Sequence, residues 1–225
     1  MGSVSARTAG LVAVGAAACY VALWVGWAQQ WAWLTAVDNA ALAPLHDFGV
    51  KHPAWVRFWV VFCAVLAPAS FQLPALAVVV VAILRRNVRA VVLMVATIGL
   101  SGLVNQVAKA LANRPRPSTA LVGANSSSFP SGHAMGLAVA VLALLAITWG
   151  MFGRRGQRVL LVIGTAVVLA VSAGRVVLNV HNPSDVLAGW ALGYLWVLGC
   201  WLLIRPPPLS AGVVDVTPEV PGSCR

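Results

Sequence analysis

Charge is what this chain has least of. Only 9% of its 225 residues are Asp, Glu, Lys or Arg, against about 25% in an ordinary soluble domain. Acids are scarcest: five Asp and Glu stand against fifteen Lys and Arg, a net charge of +10. So few charged side chains cannot cover a composition that is 60% hydrophobic, with a mean hydropathy of +0.89, so the solvent is lipid rather than water. The basic residues form no run interleaved with aromatics, which argues against nucleic-acid binding. They read as topology signals and contacts to anionic lipid. Cys19, Cys63, Cys200 and Cys224 contain no C-x-x-C pair, so neither a disulfide framework nor a cysteine metal or redox centre is expected. No internal repeat is present.

Long apolar runs are abundant. A membrane-spanning helix needs about 20 apolar residues, and six stretches qualify: 10–27, 55–84, 90–111, 133–152, 158–178 and 185–204. The expected fold is all-α, a polytopic membrane protein of six transmembrane helices. The first run resembles a signal peptide, with Ala17-Ala18-Cys19 faintly like a lipoprotein cleavage site. It continues to Trp27, however, long enough to span, so it is read as an uncleaved helix. The second contains Pro68 and Pro74; split there, neither half would cross, so one kinked helix is expected.

Arginine placement sets the orientation. Arg7, Arg85, Arg86, Arg89, Arg154, Arg155, Arg158 and Arg205 share one side of a six-span layout, which the positive-inside rule assigns to the cytoplasm along with both termini. The six-helix domain then covers 1–205. The proline-led tail, 206–225, is expected to be disordered and cytoplasmic. Residues 28–54, with Trp31, Trp33, Leu34, Leu42 and Leu45, suit an amphipathic helix on the opposite surface.

Some cations break the charge rule. Lys109, Arg114, Arg116 and Arg175 fall at the outer level, where something must compensate them. Three stretches meet there: "KALANRPRP" at the end of the third span, "PSGH" (130–133) at the start of the fourth, and "GRVVLNVHNPSD" joining the fifth to the sixth. Lys109, Arg116 and Arg175 supply charge and forked donors for an anion. Ser131 and Gly132 stand at a helix start, whose free amides bind phosphate. His181 has a carboxylate in reach, Asp185, the only acid of the set, and so suits a nucleophile; His133 lacks one and suits a general acid.

The ordered pattern K-x6-RP, PSGH, R-x5-H-x3-D resembles the signature of the type-2 phosphatidic acid phosphatase superfamily. The resemblance implies a metal-independent lipid phosphatase, without cofactor, working through a phosphohistidine. By motif match, Lys109, Arg116, Ser131, Gly132 and Arg175 would bind phosphate, His133 would be the acid, and His181 the nucleophile oriented by Asp185. The substrate would be a polyprenyl pyrophosphate, phosphatidic acid or phosphatidylglycerophosphate in the cell membrane, with the site facing the extracytoplasmic side. Two features depart from the pattern: Gly174 stands where the family usually has serine, removing one possible phosphate hydroxyl, and Arg114-Pro115 sits two residues too near Lys109 to be the motif pair.

Plainer roles are expected elsewhere. His46 and His52 are read as structural, the tryptophans as mostly interface anchors, and Ser126–Ser128 as a flexible loop. The alternative to an enzyme is an anionic-lipid binding or transport protein with a vestigial site. A vanadium haloperoxidase is disfavoured by the apolarity of the chain.

Overall fold

A computed structural model describes residues 6–124, 126–207 and 209. Among these residues the fold is helical throughout, with no strand. Six segments are long and apolar enough to cross a bilayer: Arg7–Ala28, Pro53–Leu84, Val88–Ala112, Gly132–Met151, Arg154–Val177 and Pro183–Ile204. Most of the expected tail, and Cys224, lie outside the described residues.

The first span is helix α1 (Ala6–Ala28), and α2 (Ala32–Lys51) follows over the surface segment. Leu34, Asp38 and Leu42 recur at four-residue spacing and are buried, while Trp33 and Val37 are exposed. Burial is thus one-sided, with an acid in the buried stripe, but the exposed face also carries apolar side chains, so the helix is less amphipathic than expected.

The second span breaks more sharply than a kink. Helix α3 (Pro53–Val65) ends, a 3-10 turn runs over Pro68–Phe71, and α4 (Gln72–Leu84) resumes. Each helix has 13 residues, about 20 Å at 1.5 Å per residue, too short alone for a core of about 30 Å. Pro68 opens the turn, whereas Pro74 lies in the first turn of α4, where a missing amide costs nothing. The break is therefore due to one proline.

The third span joins α5 (Val88–Met94) to α6 (Leu100–Ala112) through a π-turn at Val95–Gly99. Thr97 O accepts the Trp196 indole N–H at 3.1 Å. The remaining spans contain α7 (Gly132–Thr148), α8 (Arg154–Val177) and α9 (Pro183–Ile204). Helix α7 is the most enclosed, with Ala134, Met135, Leu137, Ala138, Val139, Ala140, Ala143 and Ile147 buried around its circumference. It packs on α9, α8 and α6, while α1 leans on α9 and α3 on α8. At the α7–α9 crossing a Cβ on Gly189 would lie 2.7 Å from Ser131 O, and one on Gly193 would lie 3.0 Å from Met135 O. Small residues let these backbones touch, the packing mode available where lipid removes the hydrophobic drive. The contact also fixes the start of α7 beside the start of α9.

Candidate active site

One end of the bundle is tied together by hydrogen bonds between chain segments far apart in sequence. Trp27 Nε1 donates to Ala112 O (3.1 Å), His46 Nδ1 lies 2.9 Å from Thr119 O, Leu121 N donates to Leu178 O (3.0 Å), and Ser131 N donates to Asp185 O (2.9 Å). The three motif stretches are brought together at this end.

Helix α6 supplies Lys109 in its last turn and stops at Asn113, whose left-handed backbone closes the helix with N–H donating to Lys109 O. Pro115 and Pro117 keep the following chain extended. Arg116 then reaches back: Nη1 donates to Val180 O (2.7 Å) and lies 3.2 Å from His181 Nε2. Its Nε donates to Ser126 O (2.8 Å) and Nη2 to Ser126 Oγ (3.1 Å).

Ser126–Ser128 are a strap rather than the flexible loop expected. Lys109 Nζ donates to Ser127 O, and Ser127 Oγ returns a bond to Lys109 O (3.1 Å). Ser128 N donates to Arg114 O (2.8 Å), and its Oγ to Pro115 O (2.9 Å). Two cations are thus aimed by main-chain carbonyls, which residue type alone does not announce.

His181 is 2% exposed. Arginine cannot accept a hydrogen bond, so Arg116 makes Nε2 the acceptor and leaves the proton on Nδ1. Nδ1 lies 3.6 Å from Asp185 Oδ2, slightly beyond a hydrogen bond, and has no other partner among the described residues. Burial pushes the imidazole pKa down to about 4, opposed by Asp185 and reinforced by Arg116 and Arg175. At neutral pH the ring is uncharged, with a lone pair on Nε2. His133, in the first turn of α7, lies within charge–charge range of Arg175, His181, Arg116 and Lys109. Both histidines therefore lie at the same end of the bundle, within electrostatic range of each other.

Asp185 is fully buried and caps its own helix: Oδ2 accepts from Asn182 N (2.8 Å) and Nδ2 (3.2 Å). Oδ1 accepts from Arg114 Nη1 (2.7 Å). The off-register Arg-Pro is thus not spare, because Arg114 also pairs with Asp38 through Nη2 (2.9 Å). Asp185 is not the only acid here, since α2 brings a second one. Asp38 was missed because it lies 146 positions from the motif residue it touches; its one sequence signal is a carboxylate between Leu34 and Leu42 on an apolar face.

With Arg114 absorbed by two carboxylates, Lys109, Arg116 and Arg175 remain without an ion pair among the described residues. Two further polar atoms, Ser131 Oγ and Arg175 Nε, are buried without a partner there. Ser131 is the N-cap of α7 yet makes no side-chain capping bond. Three cations, an idle hydroxyl and a helix N-terminus suit a phosphate.

Position 174 faces elsewhere. A Cβ on Gly174 would meet Cys63 Sγ and Trp59 Cε3 at 2.6 Å, so the glycine is a packing requirement of α3 on α8. A serine there would point at α3, not at a phosphate. His52 bonds Phe48 O at 2.8 Å and stacks on its ring, and with His46 it plays the structural part expected. Several tryptophans do more than anchor the interface: Trp190 donates to Ser172 Oγ (3.1 Å), and Trp27 lies 5.1 Å from the Arg114 guanidinium.

The PAP2 superfamily model matches residues 90–207, more than half the chain and all three motif stretches. The chain belongs to the PAP2 superfamily. It is 34% identical over 134 residues to phosphatidylglycerophosphatase B of Bacillus subtilis (strain 168), an alignment covering 58% of this chain and 66% of that protein, just under two thirds. Its fold is shared with the crystal structure of a transmembrane PAP2-type phosphatidylglycerolphosphate phosphatase from Bacillus subtilis. The TM-score is 0.65 at 24% identity, covering 86% of this chain and 96% of that one. The all-helical, six-span architecture of this PAP2 member thus agrees with that expected from the sequence.

Proposed function

We propose that this PAP2 protein is a lipid phosphate phosphatase that hydrolyses a phosphomonoester or pyrophosphate of a membrane lipid through a phosphohistidine. The observation that carries the reading is the set of three cations, without an ion pair among the described residues, gathered beside a neutral, carboxylate-backed imidazole. Lys109, Arg116 and Arg175 hold the phosphate oxygens, with Ser131 Oγ and the amides at Gly132 closing the cradle. His181 Nε2 attacks phosphorus while Arg116 moves its donors from Nε2 to the oxygens. The bond from phosphorus to the leaving oxygen breaks, and His133 donates a proton to that oxygen. Asp185 stabilises the positive charge that develops on the imidazole. Water then attacks phosphorus and gives its proton to His133, the P–N bond breaks, and inorganic phosphate leaves. The fixed cations take the charge-stabilising role that a metal fills elsewhere, so the reaction needs none.

The names of both relatives make phosphatidylglycerophosphate the first substrate to try, ahead of phosphatidic acid and polyprenyl pyrophosphates. Arginine placement supports a site on the extracytoplasmic side of the cell membrane, with both ends of the six-span bundle on the cytoplasmic side. Purified protein should release phosphate from such lipids in the presence of EDTA. Brief incubation with a labelled substrate should leave acid-labile label on the protein, and His181→Ala should abolish both signals while remaining folded. Turnover by that variant, or lipid binding without turnover by the wild type, overturns the reading.

A further inference from the structure

Asp38 lies outside the segment matched by the family model, yet it touches the centre of the site. A buried carboxylate is costly unless its oxygens are satisfied, and Asp38, 2% exposed, has both satisfied by two residues, Ser184 and Arg114. Oδ1 accepts from Ser184 N (3.1 Å); Oδ2 accepts from Ser184 Oγ (2.6 Å) and Arg114 Nη2 (2.9 Å). Arg114 Nη1 in turn donates to Ser184 Oγ (2.7 Å) and Asp185 Oδ1 (2.7 Å). The Arg114 guanidinium therefore joins an acid from α2 to the acid beside His181.

We infer that Asp38 is a positioning residue for phosphoryl transfer: through Arg114 and Ser184 it holds Asp185 with Oδ2 toward His181, and its charge offsets that of Arg114. The inference rests on the assignment of His181 as nucleophile. Its physical content is a charge count. Asp38, Arg114 and Asp185 sum to one negative charge, and His181 is the neighbour that can use it. Were Asp38 neutral, the guanidinium would cancel Asp185 from behind, and the imidazole would lose support as its charge develops. The bonds to Ser184 act in the same direction, because they clamp the first turn of α9 from outside.

The test compares Asp38→Asn, Arg114→Gln and the double variant as full-length protein in lipid nanodiscs. Displacing a catalytic group by about 1 Å can cost about a hundredfold, so D38N should lower kcat about ten- to a hundredfold while KM stays within about twofold. Vanadate, which mimics the transferring phosphoryl group, should lose inhibitory strength in step with kcat. The acid limb should move to lower pH, since His181 keeps Arg116, Arg175, His133 and Asp185 around it but loses net negative charge behind Asp185. The double variant should be no worse than the poorer single one, as expected of two parts of one unit. If D38N does not fold, Ser184→Ala removes the hydroxyl shared by Asp38 and Arg114 and should show the same selective loss of kcat. Wild-type kcat in folded D38N or S184A, or independent, additive losses in the double variant, overturns the inference. Inactive H181A together with normal D38N sinks this inference alone; active H181A sinks the functional assignment beneath it.

Discussion

Nη1 of Arg116 lies 3.2 Å from Nε2 of His181, so in the proposed reaction the phosphate clamp sits on the lone pair that would attack phosphorus. Under that proposal one guanidinium has two tasks: it fixes the imidazole tautomer, and it stands where the substrate oxygens would come. Both depend on the forked geometry of arginine.

Arg116→Lys should therefore fail as a conservative change. A lysine keeps the charge but cannot reach Ser126 O, Ser126 Oγ and Val180 O together. The expected loss in kcat/KM is about a hundredfold, comparable to removing one preorganised donor from an oxyanion site. Steady-state kinetics of the folded variant decides; a drop below about threefold contradicts the dual role.

The depressed ionisation of His181 predicts an unusual pH profile. With its pKa near 4, the proposed nucleophile stays neutral down to about pH 4 instead of gaining a proton near pH 6.5. Activity should therefore persist through pH 5 and be lost below it, once kcat/KM is corrected for the second ionisation of the substrate phosphate near pH 6. A corrected limb at pH 6.5 would mean an exposed, unshifted imidazole. Stability follows the same sign. The folded ring takes its proton only below the unfolded value, so stability falls as pH drops from about 6.5 to about 4 and changes little from this group outside that window.

The six spans were legible because apolar length is a one-dimensional signal that lipid enforces on every helix. Their ends were less so: α8 begins at Arg154 rather than 158, because arginines can be carried within a first turn that reaches the headgroups. That the motif residues gather at one end of the bundle was legible because K-x6-RP, PSGH and R-x5-H-x3-D each keep their members close in sequence. Asp38 and the Ser126–Ser128 strap were not, for different reasons. Asp38 acts across 146 positions through one guanidinium, and the strap acts through carbonyls that every residue possesses. Gly174 appeared to be a lost ligand only because sequence does not say which way a Cβ would point.

That strap makes a prediction opposite to a motif-based one. Because Lys109 and Arg116 Nε bind the carbonyls of Ser127 and Ser126, single Ser→Ala changes at 127 and 128 should each cost about 1 kcal/mol of stability at most and leave turnover near wild type. Deleting Ser127 should abolish turnover, since it shifts the carbonyls out of register with the cations while removing no charge. Phosphate release by the two classes of variant separates main-chain aiming from hydroxyl contact with substrate; a dead S127A would assign the role to the hydroxyl.

Gly174→Ser restores the residue usual in the family and should be harmful here. Its Cβ would enter space held by Cys63 Sγ and Trp59 Cε3 at 2.6 Å, and overpacking of this kind costs about 1–3 kcal/mol. A lower Tm in detergent is expected, with KM unchanged because the hydroxyl points toward α3. Adding Cys63→Ala should recover part of the Tm but not all, since the Trp59 ring presses on the same spot at the same distance. A lower KM in G174S with unaltered Tm would mean that position 174 faces the phosphate, and that the α3–α8 contact is looser than the structure shows.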